Sequence, residues 1–161
     1  MDPVFSPAFY SPYERAVETA FLMLCAARSR FHGHVRTMTF RLKSPESIRG
    51  KLQKQGLPIS AESAVTALND IAGLRVVLPN LDSVYRFASL LCQSSAAEFV
   101  RARDYIAHPK PSGYRALHLL MHIPIDGDMI PVEIQLRTPV MDMWARVEHD
   151  LCYKPISSSA G

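Results

Sequence analysis

The most constraining feature of this chain is a pair of alternating segments on either side of Asp126-Gly127. An Asp-Gly pair between two such runs is a strong signal for a β-hairpin with a two-residue turn. Side chains alternate with a period of two along a strand, so this turn fixes the register and places Ile123 opposite Ile130. The same register gives three more apolar pairs: Met121 with Val132, Leu119 with Ile134, and Leu117 with Leu136. The sequence therefore predicts a hairpin with one wholly apolar face.

The opposite face of this hairpin combines acid, amide, imidazole and guanidinium groups. Its members are His118, His122, Glu133, Gln135 and Arg137. One interpretation is a surface that holds a ligand, because charged and hydrogen-bonding groups converge on it. The other is an ordinary solvated face, since antiparallel sheets commonly bury one side and expose the other. The hairpin pattern alone leaves both interpretations open.

The rest of the chain predicts an α/β (α+β) fold with a mixed sheet flanked by helices. A continuous apolar run at 71–78 indicates a buried central strand, and residues 34–42 and 97–104 are further strand candidates. Helical spacing and cap residues predict helices over 12–30, 45–56 and 60–69, after Asn80 or Asp82, and from Pro139 onward. In the last helix we expect four apolar residues to face the core: Val140, Trp144, Val147 and Leu151.

Composition indicates one globular domain over residues 1–161, with a loose arm at 1–10 and a flexible tail at 155–161. Hydrophobic residues make up 48% and charged residues 20% of the chain, values typical of globular domains. The formal net charge of +3 permits an anionic partner but does not require one. Eight basic residues and one acid fall within residues 28–54. Such a block suits either a solvated face or a polyphosphate or nucleic acid.

Cysteine usage and hydropathy favour a cytoplasmic protein. The three cysteines are far apart and form no C-x-x-C pair, which is typical of reduced, packed thiols. No apolar run approaches the roughly 20 residues that a membrane-spanning helix needs, and the first residues lack the pattern of a secretory signal. We therefore expect no membrane partner.

Two carboxylates are candidates for chemistry. Asp70 stands at the mouth of the predicted central strand, where it could bind Mg²⁺ or, as an alternative, serve as a turn or cap residue. Glu133 on the polar hairpin face could be a second metal ligand or a base that accepts a proton from a hydroxyl group. Cations at strand and loop positions would neutralise transferring phosphates. They are Arg41, Lys43, Arg75, Arg103, Lys110, Arg115 and Arg137.

Tyr114 follows the Ser112-Gly113 pair at the start of a strand. Its ring could stack on a nucleobase, an interaction that any base offers. The alternative is a tyrosine that is half-buried at a sheet edge.

Six collinear segments together resemble one known family. They are residues 41–47 (RLKSPES), 70–75 (DIAGLR), 103–106 (RDYI), 108–118 (HPKPSGYRALH), 133–138 (EIQLRT) and 141–149 (MDMWARVEH). In this order they resemble the synthetase domain of the RelA/SpoT family, and more closely its single-domain small alarmone synthetases. The resemblance covers about residues 12–154. It implies a nucleotidyltransferase-like fold and an enzyme, a GTP pyrophosphokinase, that moves the β,γ-pyrophosphate of ATP to the 3′-hydroxyl of GDP or GTP.

The resemblance also assigns roles to individual positions. Glu133 and Asp70 match the catalytic carboxylates and the ligands of the Mg²⁺ cofactor. ATP contacts are implied for Arg41, Lys43, Ser47, Lys51 and Arg75. Contacts to the acceptor nucleotide are implied for Arg103, Lys110, Tyr114, His118, Gln135 and Asp142. Asp142 is expected to accept hydrogen bonds from guanine, which favours a guanine acceptor modestly.

Two alternatives remain beside this reading. Some relatives act as toxins and pyrophosphorylate adenosine nucleotides or the 3′ end of tRNA, and the basic block at 28–54 motivates that alternative. A catalytically silent nucleotide- or RNA-binding regulator is the other, against which the Asp70 and Glu133 pair argues. Chains of the family usually continue with further helices after the segment that ends here at Lys154, so the expectation of a homo-oligomer is in doubt.

Overall fold

A five-stranded mixed sheet organises the protein, and the computed structural model describes residues 1–152 of it. The strands are β1 (Thr37–Leu42), β2 (Ala72–Val77), β3 (Glu98–Asp104), β4 (Leu117–Ile125) and β5 (Asp128–Arg137), in the spatial order β1-β2-β5-β4-β3. The helices of this part are α1 (Pro7–Arg30), α2 (Pro45–Lys54), α3 (Ala61–Ala67), α4 (Leu81–Cys92) and α5 (Pro139–Cys152). The predicted mixed sheet is confirmed, and the tail predicted at 155–161 lies outside the described residues.

The predicted hairpin has the predicted register. Ile123 pairs with Ile130 and Leu117 with Leu136, and Asp126-Gly127 forms the turn between β4 and β5. Both turn residues have positive φ angles, 50° for Asp126 and 85° for Gly127. Such angles match a type I′ turn, whose twist follows the twist of the strands it joins. The local turn chemistry therefore fixed the pairing of the two longest strands.

Helix α1 covers the apolar face of the sheet, where it contacts β2, β4 and β5. Ala20 and Leu24 on the helix are fully buried, as are Leu119 and Ile134 close to them in the core. Burying a side chain of the size of leucine contributes about 1.5–3 kcal/mol. This packing leaves the other face of the sheet for polar side chains.

The first helix begins earlier than the sequence predicted. Ser6 caps α1, Pro7 is its first residue, and Pro12 lies inside the helix. Ser-Pro occurs at both 6–7 and 11–12, and the first pair is used because Phe5 before it is buried in the core at 2% exposure. The prediction of a loose arm at residues 1–10 is thus wrong for residues 7–10, which are helical. The segment before them is anchored by Asp2, which accepts two hydrogen bonds from Arg49.

The last helix presents a different face from the one predicted. The four apolar residues predicted to face the core are exposed, from 38% for Trp144 to 77% for Leu151, whereas Asp142 and Ala145 are buried. The expected inward stripe is therefore wrong. Helix α5 packs against β5 through Asp142, which pairs with arginines of the sheet, and these contacts decide its orientation.

Candidate active site

Cross-strand register gathers predicted site residues on the polar face of the sheet. Arg75 pairs with Gln135, Gln135 with His118, and His118 with Arg103, so four of them form one row across four strands. Glu133 lies two residues from Gln135 along β5, on the same face, and pairs with Gly73 of β2. Paired residues in a sheet point to the same face, so these side chains converge.

An open pocket of about 680 Å³ lies over this face. That volume is typical of sites for small molecules and cofactors. On the β1–β2 side it is lined by Arg41, Lys51, Asp70 and Arg75. Glu133 and Gln135 line its centre, from β5. On the β3–β4 side it is lined by Arg103, Lys110, Tyr114 and His118. The structure therefore brings together ten of the thirteen predicted site residues around one pocket.

Asp70 is held by two lysines at the entry to β2. Its Oδ2 atom lies 2.9 Å from Lys51 Nζ and 3.3 Å from Lys43 Nζ. Burial alone would raise the pKa of Asp70, but the hydrogen bonds and charges of the two lysines together outweigh it and keep the pKa below its usual value. The other oxygen, Oδ1, is buried and has no hydrogen-bond partner among residues 1–152. A buried carboxylate oxygen without a donor is suited to a cation.

Lys43 and Ser47 lie outside the lining of the pocket. Lys43 reaches the site indirectly, through its contact with Asp70. Ser47 is exposed in the first turn of α2, where its backbone N–H donates to Ser44 Oγ at 3.2 Å. This N–H is therefore used in the cap of α2 and is not directed to the pocket.

Within the described part of the chain, Glu133 receives its polar contacts on one oxygen. Gln135 Nε2 donates to Glu133 Oε1 at 2.9 Å, and His118 Nδ1 lies 3.6 Å from the same atom. Burial lowers the pKa of His118 to about 4, despite the opposing effect of Glu133. His118 is therefore neutral near pH 7, so its contact with Glu133 involves an uncharged imidazole and is not an ion pair.

Tyr114 sits at the end of a tight loop against other rings. Lys110 and Gly113 close this loop by a backbone hydrogen bond of 2.8 Å, and Gly113 has a φ of 89°, which favours glycine. Lys110 Nζ lies 4.8 Å from the ring centre of Tyr105 and 5.0 Å from that of Tyr114. Burial raises the pKa of Tyr114, so its hydroxyl keeps its proton. Tyr105 was not predicted as a site residue, because its contact with Lys110 depends on how the loop folds.

Asp142 occupies a different position from the one its predicted role requires. Its side chain is 10% exposed and is paired with three guanidinium groups rather than lining the pocket. The partners are Arg146 at 2.9 Å, Arg137 at 3.3 Å and Arg75 at 3.8 Å. Recognition of guanine by Asp142 stays a prediction, and the contacts observed here are those of an ion-pair centre. Arg137 and Arg146 both line the pocket. The sequence singled out Arg137 only as one of several candidate cations, and it gave Arg146 no role.

Comparison with known proteins gives consistent relatives. The family model described as "Region found in RelA / SpoT proteins" matches residues 40–157. GTP pyrophosphokinase YwaC from Bacillus subtilis is 35% identical over 145 residues, which cover 86% of this chain and 69% of that protein. GTP pyrophosphokinase YjbM from the same organism is 34% identical over 155 residues, covering 91% of this chain and 72% of the relative.

A solved structure has the same fold over most of its length. The small alarmone synthetase 1 from Bacillus subtilis, described as bound to its product pppGpp, superimposes with a TM-score of 0.82 at 34% identity. The match covers 91% of this chain and 78% of that one. Among residues 1–152, no helix is long and apolar enough to cross a bilayer. On the evidence of the family model, the sequence identity and the shared fold, this chain belongs to the RelA/SpoT family.

Proposed function

We propose that this chain is a GTP pyrophosphokinase, which transfers the β,γ-pyrophosphate of ATP to the 3′-hydroxyl of GDP or GTP and releases AMP. The observation that carries the proposal is the placement of Glu133 at the centre of a pocket with cationic side chains on both sides. The likeness to two GTP pyrophosphokinases and to a structure bound to pppGpp supports the same reaction.

The β1–β2 side of the pocket is suited to the triphosphate of the donor. Arg41, Lys51 and Arg75 line it, and a triphosphate carries enough negative charge to require several cations. Phosphoryl-type transfer depends mostly on positioning and on neutralising charge. We therefore assign ATP to this side.

The β3–β4 side is suited to the acceptor nucleotide. Tyr114 offers an aromatic ring for the base, and Arg103 and Lys110 offer charge for the 5′-phosphates. Between the two nucleotides, Glu133 accepts the proton of the 3′-hydroxyl. The 3′-oxygen then bonds to the β-phosphorus of ATP. At the same time the β-phosphorus loses its bond to the oxygen that bridges it to the α-phosphorus, and AMP leaves with that oxygen.

Magnesium fits the donor set of the site. Asp70 offers a buried Oδ1 to which no group of the described residues donates, and Glu133 is the second carboxylate in the pocket. Within residues 1–152 no cluster of three or more His, Cys, Asp or Glu residues suits a metal, but Mg²⁺ takes one or two carboxylates together with phosphate oxygens and water. When bound, Mg²⁺ would neutralise charge on the transferring phosphates.

The test is a transfer assay with γ-labelled ATP and Mg²⁺, with GDP, GTP, ADP, ATP and deacylated tRNA offered in separate reactions. We expect label to move to GDP or GTP. Label on adenosine nucleotides or on tRNA would replace this proposal with the toxin-type alternative, and no transfer to any acceptor would contradict the assignment as an enzyme.

The matched variant is Glu133→Gln, which keeps the size of the side chain and its hydrogen bonding but removes the base. We expect turnover to be lost while ATP binding and thermal stability stay nearly unchanged. Retained turnover in Glu133→Gln would remove Glu133 from the chemistry. The control Asp82→Asn changes an exposed carboxylate on α4 that pairs with Arg86, outside the pocket, and should leave turnover unchanged.

A further inference from the structure

Among the residues that the structure describes, Arg137 is the most buried charged group near the pocket, with a side chain that is 4% exposed. Its Nη2 atom donates two hydrogen bonds, to the Tyr114 hydroxyl at 2.8 Å and to Gln135 Oε1 at 2.9 Å. A guanidinium group has N–H donors and no acceptor. The two oxygens that receive these bonds must therefore act as acceptors, which fixes the direction of every hydrogen bond beyond them.

The first route runs through Tyr114 and His118. Because the Tyr114 oxygen accepts from Arg137, its own hydrogen is available for His118 Nε2, which lies 2.7 Å away. An Nε2 atom that accepts a hydrogen bond carries no proton, so the neutral ring has its proton on Nδ1. That Nδ1 faces Glu133 Oε1 at 3.6 Å.

The second route is shorter and reaches the same atom. The Gln135 carbonyl accepts from Arg137, which turns the amide NH₂ toward Glu133 and gives the 2.9 Å bond to Oε1. Both routes thus direct an N–H toward Glu133 Oε1. Neither reaches Oε2, which is left to meet the substrate.

We propose that Arg137 is a positioning residue for Glu133: through Tyr114 and His118, and through Gln135, it sets which oxygen of the carboxylate is held by the protein and which accepts the proton. This inference rests on the proposed function for the role of Glu133 as base. It also gives Tyr114 two separable tasks, because the ring serves the acceptor base and the hydroxyl serves the carboxylate.

Tyr114→Phe separates these tasks, since phenylalanine keeps the ring and removes the hydroxyl. We expect kcat to fall roughly 10-fold, the lower end of the loss that follows removal of an orienting partner, with KM for the acceptor changed less than about twofold. A kcat equal to that of the wild type, or a rise in acceptor KM alone, would overturn the proposal. The control is Tyr85→Phe, which removes a tyrosine hydroxyl bonded to Asp104 outside the pocket and should change neither constant.

The direction of the hydrogen bonds has a readout that needs no activity. Long-range ¹H–¹⁵N correlation spectra at pH 7 distinguish an imidazole protonated on Nδ1 from one protonated on Nε2, and His118→Gln identifies the signals among the six histidines. We expect a single Nδ1–H form in the wild type and a mixture in Tyr114→Phe. An Nε2–H form in the wild type would overturn the inference whether or not the protein transfers pyrophosphate. A wild type that shows the Nδ1–H form but transfers no label would instead count against the proposed function.

Arg137→Lys tests the origin of both routes. Lysine keeps the charge but lacks the planar fork that serves two acceptors at once. In the folded variant we expect the His118 signals to show the same mixture of forms as in Tyr114→Phe. If Arg137→Lys fails to fold, the Tyr114→Phe spectrum decides the question by itself. A single Nδ1–H form of His118 in Tyr114→Phe, unchanged from the wild type, would overturn the proposal.

Discussion

Replacing Asp142 by asparagine should destabilise the fold as a whole. The carboxylate is buried between Arg137, 4% exposed, and Arg75, 29% exposed, so its loss leaves two neighbouring cations without their counter-ion. Removing one partner of a buried ion pair costs about 3–5 kcal/mol. We expect the lower end, about 3 kcal/mol, because asparagine still accepts one hydrogen bond from Arg137. For a chain of this length that loss lowers Tm by roughly 6–12 °C.

The assay is urea denaturation followed by circular dichroism, with thermal melting as a second measurement. Asp82→Asn is the matched control, because Asp82 pairs with Arg86 on the surface of α4 with its side chain 77% exposed. An exposed i,i+4 pair contributes about 0.5 kcal/mol or less, so this variant should melt close to the wild type. If Asp142→Asn kept the wild-type stability and changed only the preference between guanine and adenine acceptors, the ion-pair role argued from the structure would be refuted and the base-reading role upheld.

Three further predictions concern other parts of the molecule. The depressed pKa of His118 means that the folded state favours the neutral ring, so the free energy of unfolding should fall as pH drops from about 6.5 to about 4. In urea titrations, His118→Gln should make the free energy of unfolding depend less on pH over this range. An equal pH dependence in both proteins would contradict the burial argument. Tyr114→Ala should weaken acceptor binding in calorimetry far more than binding of a non-hydrolysable ATP analogue, because its ring lies on the side of the pocket that we propose for the acceptor. Equal losses for both ligands would contradict that assignment of Tyr114. Gly127→Val should cost about 1–2 kcal/mol in denaturation, since a β-branched residue resists the positive φ of the turn, and a neutral result would mean that the turn can adopt another type.

Local chemistry accounts for what the sequence predicted well. The register of β4 and β5 follows from the Asp126-Gly127 turn and the alternation beside it, both of which are readable within a short window. The start of α2 at Pro45, after the cap Ser44, is local in the same way. Such features depend on neighbours in the chain, and the sequence contains those neighbours.

Features that depend on distant partners were not predictable in this way. The apolar stripe of α5 is real, but the choice of its buried face depends on pairing of Asp142 with Arg75, which comes from another part of the chain. The roles of most site residues were assigned from the family resemblance. The role inferred for Arg137 required its distances to Tyr114 and Gln135. Patterns of residue type contain no such distances.

The parallel pairing of β2 with β5 has a consequence for how the protein becomes active. In the described sheet it is the one strand pairing that joins β1 and β2 to the later hairpin and β3. Asp70 lies on one side of this seam and Glu133 on the other. Parallel pairing between segments far apart in sequence closes slowly, because the entropy of the long loop is lost before the contacts form. Each half of the sheet therefore holds one of the two carboxylates. Because the proposed reaction uses both Asp70 and Glu133, we expect enzymatic activity regained during refolding to report that this strand pair has formed.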